Sequence, residues 1–312
     1  MKTPSKQASA SGTIKFFLDL KDLPSPHPRA LRMMLLAAVL VLGSLLQGAE
    51  SMGYNLYART NLVAWCVVPF DAKKRGPEER AMMLERLGLR KLAYDWREEH
   101  VATFDQEIEA MKKHGIDMVA WWFPSSLDAT AHRILRVLER HQVKAQLWVT
   151  MGDPLPEARS QEDKIKAAAS VLGPMADAAS KIGCSVALYN HGGWFGEPTN
   201  QVAIVQNLQK TNVGIVYNLH HGHEHLDRFA ELFLLMKPHL LAFNLNGMIP
   251  RGDQLGKKIL TIGQGTEEAR LLKVIRESGW QGPVGIIDHR PETDSEITLL
   301  ENLKGLENLL RQ

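Results

Sequence analysis

The chain has only two cysteines, Cys66 and Cys184, in 312 residues. Both lie inside apolar stretches that predict strands, so a disulfide framework is excluded and two buried free thiols are expected. No glycine-rich turn follows the first predicted strand, which argues against the phosphate-binding loop of a doubly wound dinucleotide-binding fold. The formal net charge is +2, too small for a basic surface that follows a phosphate backbone. Nucleic acid is therefore not an expected partner.

Long apolar runs are also absent, except for one near the amino terminus. There Arg29 and Arg32 precede MMLLAAVLVLGSLL, and small side chains follow the run. The run is too short for a comfortable membrane span and is typical of a secretory signal peptide. Cleavage after Ala49 or Ser51 would suit such a peptide, and no cysteine follows that would indicate a lipid anchor.

The distribution of charge agrees with a leader. Residues 1–51 carry six basic and three acidic side chains, whereas the remainder of the chain is close to neutral. We therefore predict a signal peptide over residues 1–51 and one exported domain over residues 52–312, periplasmic or extracellular, with no membrane contact beyond the leader. An uncleaved anchor, or an internal start that removes both arginines, is the alternative.

From residue 60 onward, short apolar runs alternate eight times with longer segments of helical period. The predicted strands cover residues 62–70, 90–96, 116–123, 143–151, 184–191, 213–221, 240–248 and 283–290. Four predicted helices end at glycines, namely Gly88, Gly115, Gly183 and Gly279. The last predicted helix places five apolar side chains on one face, namely Ile297, Leu300, Leu303, Leu306 and Leu310.

This alternation predicts a parallel sheet covered by helices, and eight units match a single closed (β/α)8 barrel of the TIM type. An open doubly wound sheet is the rival fold, but neither a phosphate-binding turn nor a break in composition supports it. No second domain is predicted. Residues 249–265 form the longest irregular segment and are a candidate rim loop or lid.

In such barrels the chemistry lies at the carboxyl ends of the strands, where polar side chains gather in this sequence. The polar candidates are Asp95, Asn190, His191, Asn218, His220, His221, Asn244, Asn246, Asp288 and His289. Tryptophans lie at or just past the same ends, namely Trp96, Trp121, Trp122, Trp148 and Trp194. Flat aromatic faces beside amides and acids are typical of a carbohydrate pocket. About half of these tryptophans are expected to fill the core instead, Trp121 more than Trp122.

Five segments resemble one known superfamily. VALYNHGG, VGIVYNLHHG, AFNLNG, IGQG and GPVGIID are similar, in order and spacing, to the closing half of the xylose isomerase-like sugar phosphate isomerase/epimerase superfamily. That superfamily includes the ketose 3-epimerases and the type IV endonuclease branch. The likeness covers residues 60–310, and it implies a barrel enzyme that isomerises or epimerises a sugar.

The resemblance also implies a divalent metal on four strand-end ligands, and here the sequence departs from the pattern. The four positions fall on Tyr189, Asn218, Asn244 and Asp288, where the superfamily has Glu, Asp, His and Glu. A phenol and two neutral amides attract a hard dication weakly, so Mn²⁺, Mg²⁺ or Zn²⁺ is disfavoured there. The histidine three residues past the sixth-strand ligand is kept as His221.

The stretch HHGHEH has two interpretations. His221, His223 and His225 alternate along the chain and would bind zinc if the segment were extended. The intervening glycine and the helical period that follows favour instead a solvated loop at a helix entry, with His223, Glu224 and His225 in solvent. Glu197, at the start of the preceding helix, is expected to cap free backbone amides, with acid catalysis as the alternative.

Together these features favour an enzyme that abstracts a proton next to the carbonyl of a free or oxidised sugar, giving isomerisation, epimerisation or a related elimination. The predicted catalytic residues are His221 or His191 as base, Asp288 as acid or orienting group, and His289. The predicted substrate-binding residues are Asp95, Trp122, Trp148, Asn190, Asn218, His220, Asn244 and Asn246. A non-catalytic carbohydrate-binding barrel is the alternative, and a glycoside hydrolase with paired carboxylates is the more distant one.

Overall fold

Eight parallel strands close into a barrel in the computed structural model, which describes residues 55–157 and 160–312. The predicted (β/α)8 fold is confirmed. The predicted leader, residues 1–51, lies outside the described residues. Among the residues that are described, no helix combines the length and the apolar character that a membrane crossing requires.

Strands and helices alternate along the chain, joined by short turns and loops. The strands are β1 (Leu62–Trp65), β2 (Lys91–Tyr94), β3 (Asp117–Trp122), β4 (Gln146–Val149), β5 (Ser185–Tyr189), β6 (Val213–Asn218), β7 (Leu240–Leu245) and β8 (Val284–Ile287). The helices are α1 (Pro77–Arg86), α2 (Phe104–Lys113), α3 (Ala129–Arg140), α4 (Gln161–Lys181), α5 (Gly193–Gly196), α6 (Pro198–Leu208), α7 (Phe229–Met236), α8 (Glu268–Glu277) and α9 (Ser295–Leu310).

Each strand pairs with the next one, and β8 pairs with β1, where Trp65 lies opposite Ile287. The strands are shorter at their carboxyl ends than predicted. β1 stops at Trp65 because Cys66 takes a positive φ of 57° and turns the chain out of the sheet. β6 stops at Asn218, and a 3₁₀ turn over Leu219–His221 follows it. The predicted strand ends are therefore loops that surround the mouth of the barrel.

The barrel interior is packed with a few large rings and many small side chains. Alanines on four strands leave room for Trp65, Trp148 and Tyr189. The rings of Trp65 and Trp148 meet edge to face at 4.6 Å between their centroids. Trp121 belongs to the outer layer between strands and helices, where its ring centroid lies 5.0 Å from that of Phe104, so it fills the core as expected.

Helices end at the four predicted glycines, whose φ angles lie between 64° and 74°. Cys66 and Cys184 are buried and free, as predicted. The apolar face predicted for α9 is wrong in part, because three of its members are exposed: Ile297, Leu300 and Leu310. The buried face also contains Asn302, which accepts a hydrogen bond from the backbone of Ile262 at 2.9 Å and donates one to Ile287 at 3.2 Å. Polar anchoring of this kind rotates the helix away from its most apolar face.

Candidate active site

A cleft opens at the carboxyl-terminal mouth of the barrel. It is lined by Trp65, Cys66, Phe70, Asp95, Arg97, Trp122, Tyr189, His191, His220, His221 and His289. Its volume is ≈ 70 Å³, small beside the roughly 300–1,000 Å³ of common small-molecule sites, so it admits one end of a sugar-sized ligand. Two larger depressions have volumes of ≈ 340 and ≈ 430 Å³: one lies between residues 261–264 and α9, and the other lies between the loop after β1 and α1.

Four imidazoles form a row along one wall of the cleft. The ring centroids of His191 and His221 are 4.3 Å apart, those of His221 and His220 are 3.7 Å apart, and those of His220 and His289 are 5.5 Å apart. His220 and His221 are consecutive, yet both reach the cleft because the 3₁₀ turn after Asn218 replaces the strand there. The Asn218 amide oxygen fixes this turn by accepting hydrogen bonds from the His220 backbone at 3.3 Å and from His220 Nδ1 at 2.7 Å.

All four imidazoles are neutral at physiological pH. Burial lowers the pKa of each, and neighbouring positive charges add to the effect. The pKa of His221 falls to about 2, first through burial and then through His191 and Lys258. A general base works best when its pKa is near the working pH, so His221 is poorly matched to the role of base that the sequence suggested.

Asp95 combines burial with an oxygen that has no protein partner. It follows β2 directly and is 2% exposed. Its Oδ1 accepts a hydrogen bond from the Val68 backbone at 3.2 Å, whereas its Oδ2 has no partner among the described residues. Burial raises the pKa of Asp95 to about 7, and Arg97 partly opposes this shift. The carboxyl group is therefore divided between its charged and neutral forms near neutral pH.

Tyr189 forms the floor of the cleft at the position of the superfamily's fifth-strand metal ligand. Its hydroxyl oxygen accepts hydrogen bonds from Trp65 Nε1 at 3.4 Å and from Asn218 Nδ2. Burial raises the pKa of Tyr189 well above its usual value, so the phenol keeps its proton. Trp148 lies beneath this floor, where its Nε1 donates to Gln146 at 2.9 Å. It does not line the cleft, which corrects its expected role in substrate binding.

The residues at the superfamily's metal positions do not fit a divalent ion. Tyr189 is a protonated phenol, and the Asn218 side chain is engaged with Tyr189 and His220. Asn244 is buried, and neither its oxygen nor its nitrogen has a partner among the described residues. Its amide lies against Gly285, where an added Cβ would meet Asn244 Oδ1 at 1.8 Å. Asn244 therefore does not line the cleft as expected, because its amide packs against Gly285 of the neighbouring strand β8.

Asp288 does not line the cleft either, which corrects its expected roles as acid and metal ligand. Side chains alternate along a strand, and Ile287 is the residue that faces the barrel interior at the end of β8. Asp288 Oδ2 instead accepts a hydrogen bond of 2.5 Å from Ser295 Oγ at the start of α9. Burial raises the pKa of Asp288 to about 6, and the bond from Ser295 partly opposes the shift.

Two predicted binding amides hold the backbone instead of facing the cleft. Asn190 accepts a hydrogen bond from the backbone of Asn218 at 2.7 Å and donates one back at 3.1 Å, which ties β5 to β6. Asn246 Nδ2 donates to the carbonyl oxygens of Gly247 at 3.0 Å and Lys258 at 2.8 Å. Both expectations of direct substrate contact are therefore corrected.

The loop after His221 is solvated as predicted only at Glu224, because His223 and His225 are buried. His223 Nε2 hydrogen-bonds to the carbonyl oxygen of Lys258 at 3.1 Å. His225 Nδ1 hydrogen-bonds to the Tyr217 hydroxyl at 2.8 Å, and its Nε2 to Glu197 at 3.1 Å. The side chain of Glu197 makes no capping bond to α6. Its carboxylate joins this loop to the start of the helix.

Within the described residues, His221, His223 and His225 do not converge as zinc ligands. The group of potential ligand atoms that does converge, within 4.8 Å, is that of Glu197, Glu224 and His225. Arg228 lies 3.5 Å from Glu197 there, so the carboxylate already has a cationic neighbour. This group is an ion-pair cluster at the outer edge of the barrel.

Four residues that line the cleft were missed as site residues in the sequence: Trp65, Cys66, Phe70 and Arg97. Trp65 stands in the middle of the predicted first strand, so its place at the true strand end was hidden by Cys66 and the apolar residues that follow it. Arg97 follows Asp95 and Trp96, and its position just past a strand end was the available signal.

The known proteins that this chain resembles share its fold. A family model described as xylose isomerase-like TIM barrel matches residues 88–308. The 3-keto-D-glucoside 4-epimerase of E. coli is 16% identical, with a TM-score of 0.59 over 81% of this chain and 100% of that one. The IOLI protein with a bound zinc atom is 17% identical, with a TM-score of 0.62 over 80% and 98%. The probable 3-DHS dehydratase of Bacillus anthracis is 10% identical, with a TM-score of 0.63 over 80% and 99%. A search of curated proteins found no match.

Proposed function

The chain belongs to the xylose isomerase-like TIM barrel family, and we propose that it is an enzyme that moves a proton next to the carbonyl group of a free or oxidised sugar. The observation that carries this proposal is Asp95. It is the one carboxyl group among the residues that line the cleft, one of its oxygens has no protein partner, and its pKa is about 7. A buried acid with a shifted pKa in a cleft is a candidate for proton transfer.

In the proposed reaction the Asp95 carboxylate removes a proton from the carbon beside the carbonyl, and the electrons of the C–H bond move to the carbonyl oxygen. Tyr189 supports that oxygen. Because its hydroxyl oxygen accepts hydrogen bonds from Trp65 and Asn218, its own O–H is free to donate to a developing enolate. Asp95 then returns the proton to the same carbon, or to the neighbouring carbon while a proton passes between the two oxygens of the enediolate. In the elimination variant, protonated Asp95 instead gives its proton to the β-hydroxyl group, which leaves as water as the C–O bond breaks.

The imidazoles take a binding role in this scheme. His220 donates its Nδ1 proton to Asn218, so its Nε2 keeps a lone pair that accepts a hydrogen bond from a sugar hydroxyl. His191, His221 and His289 are also neutral, because burial lowers their pKa values, and in this scheme they likewise form hydrogen bonds with sugar hydroxyls. Assigning the base to Asp95 replaces the sequence-based assignment to His221 or His191, because a pKa of about 2 leaves His221 little affinity for a proton.

Hydrogen exchange in D2O tests the proposal. Purified protein is incubated with a panel of aldoses, ketoses and 3-keto glycosides, and deuterium uptake at the carbon beside the carbonyl is followed by NMR. We expect exchange with at least one member. Asp95→Asn should lower the rate by about 10²–10⁴-fold, whereas Asp288→Asn, a matched change of a buried carboxyl outside the cleft, should retain it within a few fold. An unchanged rate in Asp95→Asn would refute the assigned base.

The non-catalytic sugar-binding barrel is the second candidate, and the replacement of the metal-binding positions favours it. Saturable binding of a panel member with no exchange at any carbon would establish it in place of the enzyme. A glycoside hydrolase is disfavoured, because among the residues that line the cleft Asp95 has no second carboxyl group to pair with.

Export is part of the proposal and is supported by the sequence of residues 1–51 alone. Expression of the full chain in a Gram-negative host, followed by sequencing of the mature amino terminus from the periplasmic fraction, tests it. A protein that keeps residues 1–51 and stays in the cytoplasm would reject export without affecting the assignment of the cleft.

A further inference from the structure

Arg97 lines the cleft, and Lys258 belongs to the irregular segment 249–265. Neither Arg97 nor Lys258 forms an ion pair with any of the described residues. The carboxyl group that lines the cleft, Asp95, is partly neutral near pH 7. Arg97 is the one Lys or Arg side chain among the residues that line the cleft.

Arg97 is held in place by backbone groups. Its Nη1 donates to the carbonyl oxygens of Asp95 at 2.6 Å and Trp96 at 2.8 Å, and its guanidinium carbon lies 5.5 Å from the centre of the Phe70 ring. Its Nε and Nη2 make no hydrogen bond to the described residues. Nε and Nη2 lie on one edge of the guanidinium. An edge of this kind can bind a carboxylate through two parallel hydrogen bonds.

Lys258 comes from the irregular segment 249–265, and its backbone is anchored at the mouth. Its carbonyl oxygen accepts hydrogen bonds from Asn246 at 2.8 Å and hydrogen-bonds to His223 at 3.1 Å. Its positive charge is close enough to lower the pKa of His191 and His221 in the row of imidazoles. The buried loop histidine thus helps to hold a cation beside the cleft.

We propose that the substrate is a sugar acid, whose carboxylate binds Arg97 and Lys258 at the mouth while its carbonyl end enters the cleft. The inference rests on the proposed function and narrows its substrate class. The size of the cleft agrees with it, because a volume of ≈ 70 Å³ encloses one end of a hexose derivative and leaves the other at the rim. A neutral sugar would leave both cations without a partner.

Calorimetric binding of methyl glucuronide and methyl glucoside tests the inference, because the two differ mainly in a carboxylate replacing a hydroxymethyl group. We expect the glucuronide to bind at least about tenfold more tightly, with the preference reduced as salt rises. Arg97→Gln should remove most of the preference and Lys258→Gln part of it. Lys257→Gln, a change of the neighbouring exposed lysine, is the matched control and should leave it intact.

Equal affinity for both sugars, no binding of either, or a preference that survives Arg97→Gln would overturn the inference. Glucose 6-phosphate is included as a second anion, and tighter binding of the phosphate than of the glucuronide would also overturn it. Binding is measured without turnover. A protein that selects the carboxylate but exchanges no proton would therefore reject the proposed function and keep this inference.

Discussion

Asp95 and Asp288 are both buried acids that directly follow a strand of the barrel, and burial raises the pKa of both, to about 7 and about 6. They differ in where the side chain points and in the groups that it contacts. Each keeps one oxygen without a hydrogen-bond partner among the described residues, but Asp95 lines the cleft, whereas Asp288 lies outside it and accepts a hydrogen bond from Ser295 at the start of α9. An unpaired oxygen alone therefore does not mark a site, and a strand-end carboxyl indicates one only when the strand places it toward the cleft.

The pH dependence of stability should show the larger effect at Asp95. The folded protein holds this carboxyl protonated up to a pKa of about 7, against an ordinary value of 3.8. The stabilising contribution is therefore complete below pH 3.8 and is lost as the pH rises towards 7. Between pH 4 and pH 7, the free energy of unfolding of Asp95→Asn should rise relative to that of the wild type by on the order of 4 kcal/mol. Urea unfolding of both proteins across this range measures the difference, and a constant difference would contradict the raised pKa.

Asp288→Asn should show the same sign over a narrower range. Its folded pKa of about 6 lies above the same ordinary value of 3.8, so the wild type loses this contribution between pH 4 and pH 6. The expected gain of the variant over wild type in the free energy of unfolding is on the order of 3 kcal/mol, nearly all of it reached by about pH 7. A gain as large as that of Asp95→Asn would mean that the two carboxyls are not distinguished by their surroundings.

The fold could be predicted because its signal repeats along the whole chain. Eight alternations of apolar strand and amphipathic helix leave few other arrangements, and each glycine at a helix end adds a local signal. No repeated signal marks the exact ends of the strands. β1 stops at Trp65 because of a single backbone turn at Cys66, and the apolar residues that follow hid this end.

Whether a histidine after Asn218 lines the cleft or is buried depends in part on contacts with residues that are distant in sequence. His220 and His221 line the cleft because Asn218 fixes a turn just before them, which is a local effect. His223 and His225, only a few residues on, are buried by bonds to Lys258 and Glu197, which lie about 30 residues away in either direction. Sequence patterns indicate periodicity and local turns, but they do not show which distant residues a side chain will contact.

The smallest expected effect comes from the hydrogen bond that sets Asp288 apart from Asp95. Ser295→Ala removes the Oγ donor to Asp288 Oδ2, which leaves a buried carboxyl with less compensation. We expect a loss of about 2 kcal/mol in the free energy of unfolding at pH 7, where the carboxyl is charged, and a smaller loss at pH 4, where it is protonated. Exchange activity should be unchanged, because neither residue lines the cleft. Thr298→Ser, which keeps the hydroxyl one turn further along α9, is the control, and a loss for Ser295→Ala that did not depend on pH would contradict the role given to this bond.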